Sequence, residues 1–104
     1  MDLEALKKAK FKVYDSTVYF KVEHYQQNNR IALQLMTNDK GYEEPSCTLT
    51  VNIPEAELCD DEVLIKNWSE NERSAKAAFE TGLFEDTGKN YPSGYVSAPV
   101  WRIK

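Results

Sequence analysis

Two cysteines, a single histidine and no long apolar run set the first limits on this 104-residue chain. A structural zinc site takes four nitrogen or sulfur ligands, usually in close pairs. Cys47 and Cys59 are not paired in a CxxC motif and His24 stands alone, so that ligand set is missing. Cys47 falls on the apolar side of an alternating segment and is expected to be a buried, inert thiol. Cys59 precedes Asp60, Asp61 and Glu62, whose charges keep a thiol protonated. Neither GxGxxG nor GxxxxGK(S/T) occurs, so no phosphate-cradling loop is expected. With one histidine and no nucleophile elbow, a nucleophilic triad has no support, and His24 reads as a structural or surface residue. Carboxylates are plentiful, but a glycosidase needs them across a cleft for which a domain this small has little room. The expectation is a non-enzymatic protein without cofactor or metal.

No apolar stretch approaches the roughly 20 residues of a membrane span. The opening Met1-Asp2-Leu3-Glu4 is acidic and lacks the apolar core of a secretory leader, so a cytoplasmic location is expected. What is present fits a folded chain: 41% hydrophobic and 12% aromatic residues. A chain of this length buries about two-thirds of its unfolded surface and forms one domain over residues 1–104.

Residues Asp2 to Lys10 suggest a short helix with Asp2 as N-cap and Leu3 and Leu6 on one side. From Phe11 the apolar period becomes two. Val18, Phe20 and Val22 oppose Thr17, Tyr19, Lys21 and Glu23 as in a half-buried strand. After the polar turn Gln26–Asn29, Ile31, Leu33 and Leu35 alternate with Ala32, Gln34 and Met36. After Asn38–Gly41, Cys47, Leu49, Val51 and Ile53 alternate with Thr48, Thr50 and Asn52. These segments predict a three-stranded antiparallel meander with one wet face. Glu62 to Lys66 is a short apolar run of strand character.

Ser69 and Glu72 have the spacing of a capping box, and the main helix is expected over about residues 70–81, closed by Gly82. Ala75, Ala78 and Phe79 form its expected inward face. Leu83 to Glu85 suggests a strand running into a tight turn at Asp86–Lys89, and Tyr91–Gly94 another turn. Tyr95 to Ile103 is extended, with Pro99 pointing to a sheet edge or a bulge. The fold class is α+β: a mostly antiparallel sheet, made of the N-terminal meander and C-terminal strands, with one main helix.

Charge is unevenly spread. The stretch from Glu55 to Asp86 carries ten acids and three bases, a net −7 within a chain of net −4. Its acids read either as a solvated loop with helix-start carboxylates, or as a negative surface that docks on a basic partner. The calcium-loop spacing with its central glycine is missing. Lys7, Lys8, Lys10 and Lys12, with Tyr14, Tyr19 and Tyr25 nearby, are the one candidate nucleic-acid patch. The overall acidity argues against it, so direct nucleic-acid binding is not expected.

The run Glu62-Val63-Leu64-Ile65-Lys66-Asn67-Trp68-Ser69-Glu70-Asn71-Glu72, then Gly82-Leu83, Thr87-Gly88, Ser93-Gly94-Tyr95-Val96 and Pro99-Val100 form a further pattern. Over residues 62–103 the chain resembles a family of small uncharacterised proteins carried on bacterial plasmids, conjugative elements and phages. That family has no known function, so the resemblance implies a genomic setting and no catalytic residues. Small acidic proteins in that setting often blunt host defences by occupying the nucleic-acid-binding surface of a nuclease, an analogy of setting rather than of site. The expected function is therefore a protein-binding module of a mobile element, an acidic inhibitor of a host-defence nuclease such as a restriction or CRISPR effector. Glu57, Asp60, Asp61, Glu62, Glu70 and Glu72 are its expected contacts with a basic partner. The alternative is a structural or accessory domain that self-associates through a sheet edge or through Tyr91, Tyr95 and Trp101.

Overall fold

A computed structural model describes residues 1–104 as an α+β fold with two antiparallel sheets. The first sheet is a meander in the order β1 (Lys10–Val13), β2 (Ser16–His24), β3 (Ile31–Thr37) and β4 (Glu44–Thr48). Period-two alternation drives it: Val18 and Phe20 of β2 and Leu33 and Leu35 of β3 are buried, with Phe20 paired to Leu35 and Val22 to Leu33. It has four strands where the alternation predicts three. The chain reverses at Tyr14-Asp15, so Phe11 and Val13 form a strand of their own against Val18 and Ser16.

The segment expected to be one strand over 47–53 is divided. It pairs with β3 as far as Thr48, after which Thr50 bridges to Ile65 and the Val51 N–H donates to the Leu64 carbonyl at 3.0 Å. The Thr50 hydroxyl accepts the Leu33 N–H at 3.1 Å, so the backbone can leave β3 without orphaning a buried donor.

The second sheet runs β5 (Glu62–Leu64), β7 (Val96–Ile103), β6 (Phe84–Ser93). Val63 and Ile65 join the main core, while Leu64 packs on the opposite face with Ala56, Ala98 and Val100. Burial on both faces explains why this strand reads as an unbroken apolar run. The final strand is central rather than at an edge. Pro99 is accommodated because β5 ends at Leu64, beyond which the Pro99 carbonyl still accepts the Ile65 N–H at 2.9 Å. The irregularity lies across the ladder, in β6 between Asp86 and Asn90. The expected turn at Asp86–Lys89 is this bulge. Gly88 takes φ +82°, its N–H donates to Asp86 Oδ1 at 2.9 Å, and Thr87 Oγ1 donates to the Val100 carbonyl at 2.8 Å. The true reversal comes at Gly94-Tyr95.

The helical segment is a 3-10 turn, Ser69–Asn71, leading into α2 (Glu72–Glu80). The expected capping box does not form. Ser69 has φ +55° and neither helical start has a side-chain cap. The buried Asn71 does the anchoring instead: its Nδ2 donates to the Thr48 carbonyl at 2.7 Å and to the Lys66 carbonyl at 3.2 Å. The helix start is thus tied to the ends of β4 and β5 rather than to itself. Gly82, at φ +79°, closes the helix as expected and donates to the Phe79 carbonyl at 3.2 Å. Ser74, Ala75 and Ala78 are the inward face, and small side chains let α2 lie close on the sheets. Phe79, expected inward, sits at the rim and is 39% exposed.

At the N-terminus α1 (Leu3–Lys8) is capped by Asp2, whose Oδ1 accepts the Ala5 N–H at 2.9 Å, and Leu6 is fully buried. The Asp2 N–H also donates to the Lys104 carbonyl at 2.7 Å, so the first residues are held to the last. Through the core runs a chain of aromatic contacts: Phe11–Phe20 at 5.1 Å, Phe20–Phe84 at 5.7 Å, Phe84–Trp101 at 5.4 Å and Trp101–Phe79 at 4.9 Å. It surfaces beside α2. No helix is long and apolar enough to cross a membrane.

Candidate protein-binding surface

The six acids expected to form one contact surface are distributed over different parts of the fold. Glu57 and Asp60 are exposed on the loop before β5, and Asp61 is half-buried with Oδ2 4.0 Å from Arg102. Glu62 is no surface acid: it is 8% exposed, accepts the Cys59 N–H at 2.8 Å and pairs with Lys89 Nζ at 3.0 Å. Burial alone would raise its pKa, but the Cys59 N–H and the Lys89 ammonium outweigh burial and hold the carboxyl below the usual glutamate range. Glu70 lies 3.7 Å from Lys66, and Glu72 is exposed on the first turn of α2. Asp60 and Glu62 border one hollow, Glu70 and Glu72 another.

The first hollow, about 520 Å³, is also lined by His24, Arg30, Leu58 and Cys59. Arg30 closes its floor by donating to the carbonyls of Ile53, at 2.8 Å, and Ala56. The negative charge of Glu62, and the thiol's hydrogen bond to it, push the Cys59 pKa up, so the thiol stays protonated and a poor nucleophile. Cys47 is half-buried against the main core, and burial raises its pKa also. No three His, Cys, Asp or Glu side chains converge as metal ligands.

A different arrangement gathers along α2. Between this helix and the β6–β7 hairpin lies a groove of about 710 Å³, lined by Glu72, Lys76, Phe79, Glu80, Asp86 and Trp101 among others. Three of these are carboxylates, none in an ion pair within the protein, against one lysine. The floor is aromatic, with Phe79 tilted 58° over Trp101. Such a site can take a cation against the exposed part of the Phe79 ring and hold it with carboxylates at the rim.

Of the groove acids only Glu72 is among the expected contacts. Glu80 and Asp86 lie in the acidic stretch, and 72, 76 and 79/80 repeat at helical spacing, a signal that marks a common helix face. Asp86 and Trp101 come from β6 and β7, and nothing local in sequence brings them there. The aromatics of the self-association reading separate too. Trp101 is buried, Tyr91 is half-buried with its hydroxyl donating to the Glu57 carbonyl at 3.1 Å, and only Tyr95 is fully exposed. Among the tyrosines near the N-terminal lysines, Tyr19 donates to Glu43 and Tyr25 bonds Thr50 at 2.9 Å, while Tyr14 is 74% exposed.

A family model with the description "Domain of unknown function (DUF4313)" matches residues 19–103, which run from within β2 to the end of β7 and include α2 but not α1 or β1. No curated protein and no solved structure matches the chain.

Proposed function

The chain belongs to the family described as domain of unknown function DUF4313, a membership that assigns no activity, and from the groove we propose a non-enzymatic protein-binding module that docks a basic segment of its partner between α2 and the β6–β7 hairpin. The observation that carries this reading is the pairing of unneutralised carboxylates, Glu72, Glu80 and Asp86, with the Phe79–Trp101 floor. Apolar floor supplies affinity and the charged rim selects and steers a cationic partner. The net −7 between Glu55 and Asp86 adds a long-range attraction of the same sign. The likeness to proteins of mobile genetic elements supports a host-defence nuclease as the basic partner, with this chain as its acidic inhibitor.

Self-association through a sheet edge has less support. The long edge strand β6 carries a bulge and Pro92, both of which blunt strand addition.

A tagged chain incubated with host lysate at low and high salt, read by mass spectrometry, tests the proposal. A basic protein should be retained at low salt and released at high salt. It should be lost with the triple variant Glu72→Gln, Glu80→Gln, Asp86→Asn and kept with Asp60→Asn, Asp61→Asn. Retention by the groove triple variant would remove the groove from the account, and recovery of the chain alone would favour self-association.

A further inference from the structure

On the other flank of α2 cations are more numerous. A hollow of about 420 Å³ opens between the β1–β2 turn and the helix, lined by Phe11, Lys12, Tyr14, Arg73, Lys76 and Glu80. Lys12, Arg73 and Lys76 are among the eight lysines and arginines that have no carboxylate partner. Within the hollow these three cations face Glu80, and Glu70 and Glu72 border the adjoining hollow that Tyr14, Arg73 and Lys76 also line. The Arg73 guanidinium makes no hydrogen bond within the protein and lies 5.2 Å from the centre of the Tyr14 ring.

Tyr14 itself is unusual. It holds φ +54°, a left-handed conformation that bulky side chains rarely adopt, in a two-residue turn where glycine or asparagine would sit without strain. It also presents 74% of its surface to solvent. An aromatic ring kept exposed on a strained backbone gains nothing from burial, and such outliers concentrate at ligand sites.

We infer that this hollow binds a phosphoryl group carried beside a planar base, as in a nucleoside phosphate. Arg73, with its planar fork of donors, takes the phosphate together with Lys12 and Lys76. The Tyr14 ring, covered by Arg73 on one side, offers its open surface for the base to stack. Glu80 at the wall accepts hydrogen bonds from amino or hydroxyl groups and disfavours a bare polyanion. Lys76 and Glu80 stand between this hollow and the proposed protein groove and line both, whereas Lys12, Tyr14 and Arg73 belong to the hollow and not to the groove.

The test is a heteronuclear NMR titration of the full chain with adenosine monophosphate, inorganic phosphate, a short single-stranded oligoadenylate and an acidic peptide. Adenosine monophosphate should shift the amides of Tyr14, Arg73 and Lys76 and bind about tenfold more tightly than phosphate, reflecting the worth of one stacked base. Tyr14→Gly should raise the melting temperature by relieving the strained turn, yet reduce the nucleotide's affinity to that of phosphate. Arg73→Ala should weaken both ligands. An oligoadenylate that binds more tightly than the mononucleotide would assign the phosphoryl group to a nucleic-acid strand, and equal affinity would assign it to free nucleotide. Equal binding of phosphate and nucleotide, unchanged nucleotide affinity in Tyr14→Gly, or tighter binding of the acidic peptide at the same amides would overturn the inference.

Discussion

Lys89 Nζ lies 3.0 Å from Glu62 Oε1, joining the bulge of edge strand β6 to the start of edge strand β5 across the central strand β7. The carboxylate also accepts the Cys59 N–H, so one buried oxygen holds three elements together. A half-satisfied buried charge is costly, and the bulge that delivers Lys89 is what makes burial of Glu62 tolerable.

The pH dependence of stability follows from this pair. The folded-state pKa of Glu62 is depressed, so its contribution is present above the usual glutamate range and disappears as pH falls through the lower folded value. Glu62→Gln should cost about 1–2 kcal/mol at neutral pH, in line with the loss of a charge-assisted bond. Chemical denaturation of both proteins down to pH 3 should show their stabilities converging. A difference that is constant with pH would rule out the ion pair as its source.

The same carboxylate protects Cys59. Its charge is the largest cause of the raised thiol pKa, so Glu62→Gln should speed alkylation of Cys59 by iodoacetamide at neutral pH. Cys47, suppressed by burial instead, should keep its wild-type rate. Mass spectrometry of the modified peptides over time reads both sites, and parallel acceleration of Cys47 would indicate general loosening.

Asn71, rather than a Ser69–Glu72 box, sets where α2 begins. Asn71→Ala removes two hydrogen bonds and leaves the Thr48 and Lys66 carbonyls short of a donor, at a cost of about 2–3 kcal/mol. Ser69→Ala should change stability by less than about 0.5 kcal/mol, since no cap bond is lost. Ser69→Gly should be neutral or stabilising because glycine adopts φ +55° freely. A loss near 1 kcal/mol in Ser69→Ala, measured by urea unfolding, would restore the capping box.

Phe84 is 2% exposed and touches Phe20 and Trp101 at 5.7 and 5.4 Å, the middle of the aromatic chain. Phe84→Ala should cost about 3–5 kcal/mol, a large share of the stability of a domain this size. Phe79→Ala, at the exposed end of the chain, should cost about 1 kcal/mol and act mainly on partner binding. Equal losses in the two variants, by thermal unfolding, would contradict the burial gradient.

Much of the fold was legible in sequence because its causes are local. Alternation of Val18, Phe20 and Val22 against polar neighbours predicts a strand whatever it packs on. Asp2 and Gly82 mark helix ends because capping involves backbone groups only a few residues away. The turn at Asp86–Lys89 misled because Asp, Thr, Gly and Lys suit a turn and a bulge equally well. Only the β7 strand opposite, through the Val100 carbonyl, selects the bulge.

The site was less legible. Charge tells that Glu62 is an acid but not whether water or Lys89, twenty-seven residues on, will surround it. Ser69 and Glu72 satisfied a spacing rule, yet the carbonyls of Thr48 and Lys66 outbid it through Asn71.

By itself, then, the sequence determined the strand and helix content, the α+β class, and a concentration of negative charge between Glu55 and Asp86, all of them set by neighbours in the chain. Tertiary structure decided which of those acids are free, placing Glu72, Glu80 and Asp86 around Phe79 and committing Glu62 to an internal pair. The physical reason is range. Periodicity and capping act over a few residues, whereas desolvation and ion pairing depend on groups that only the packed fold brings together.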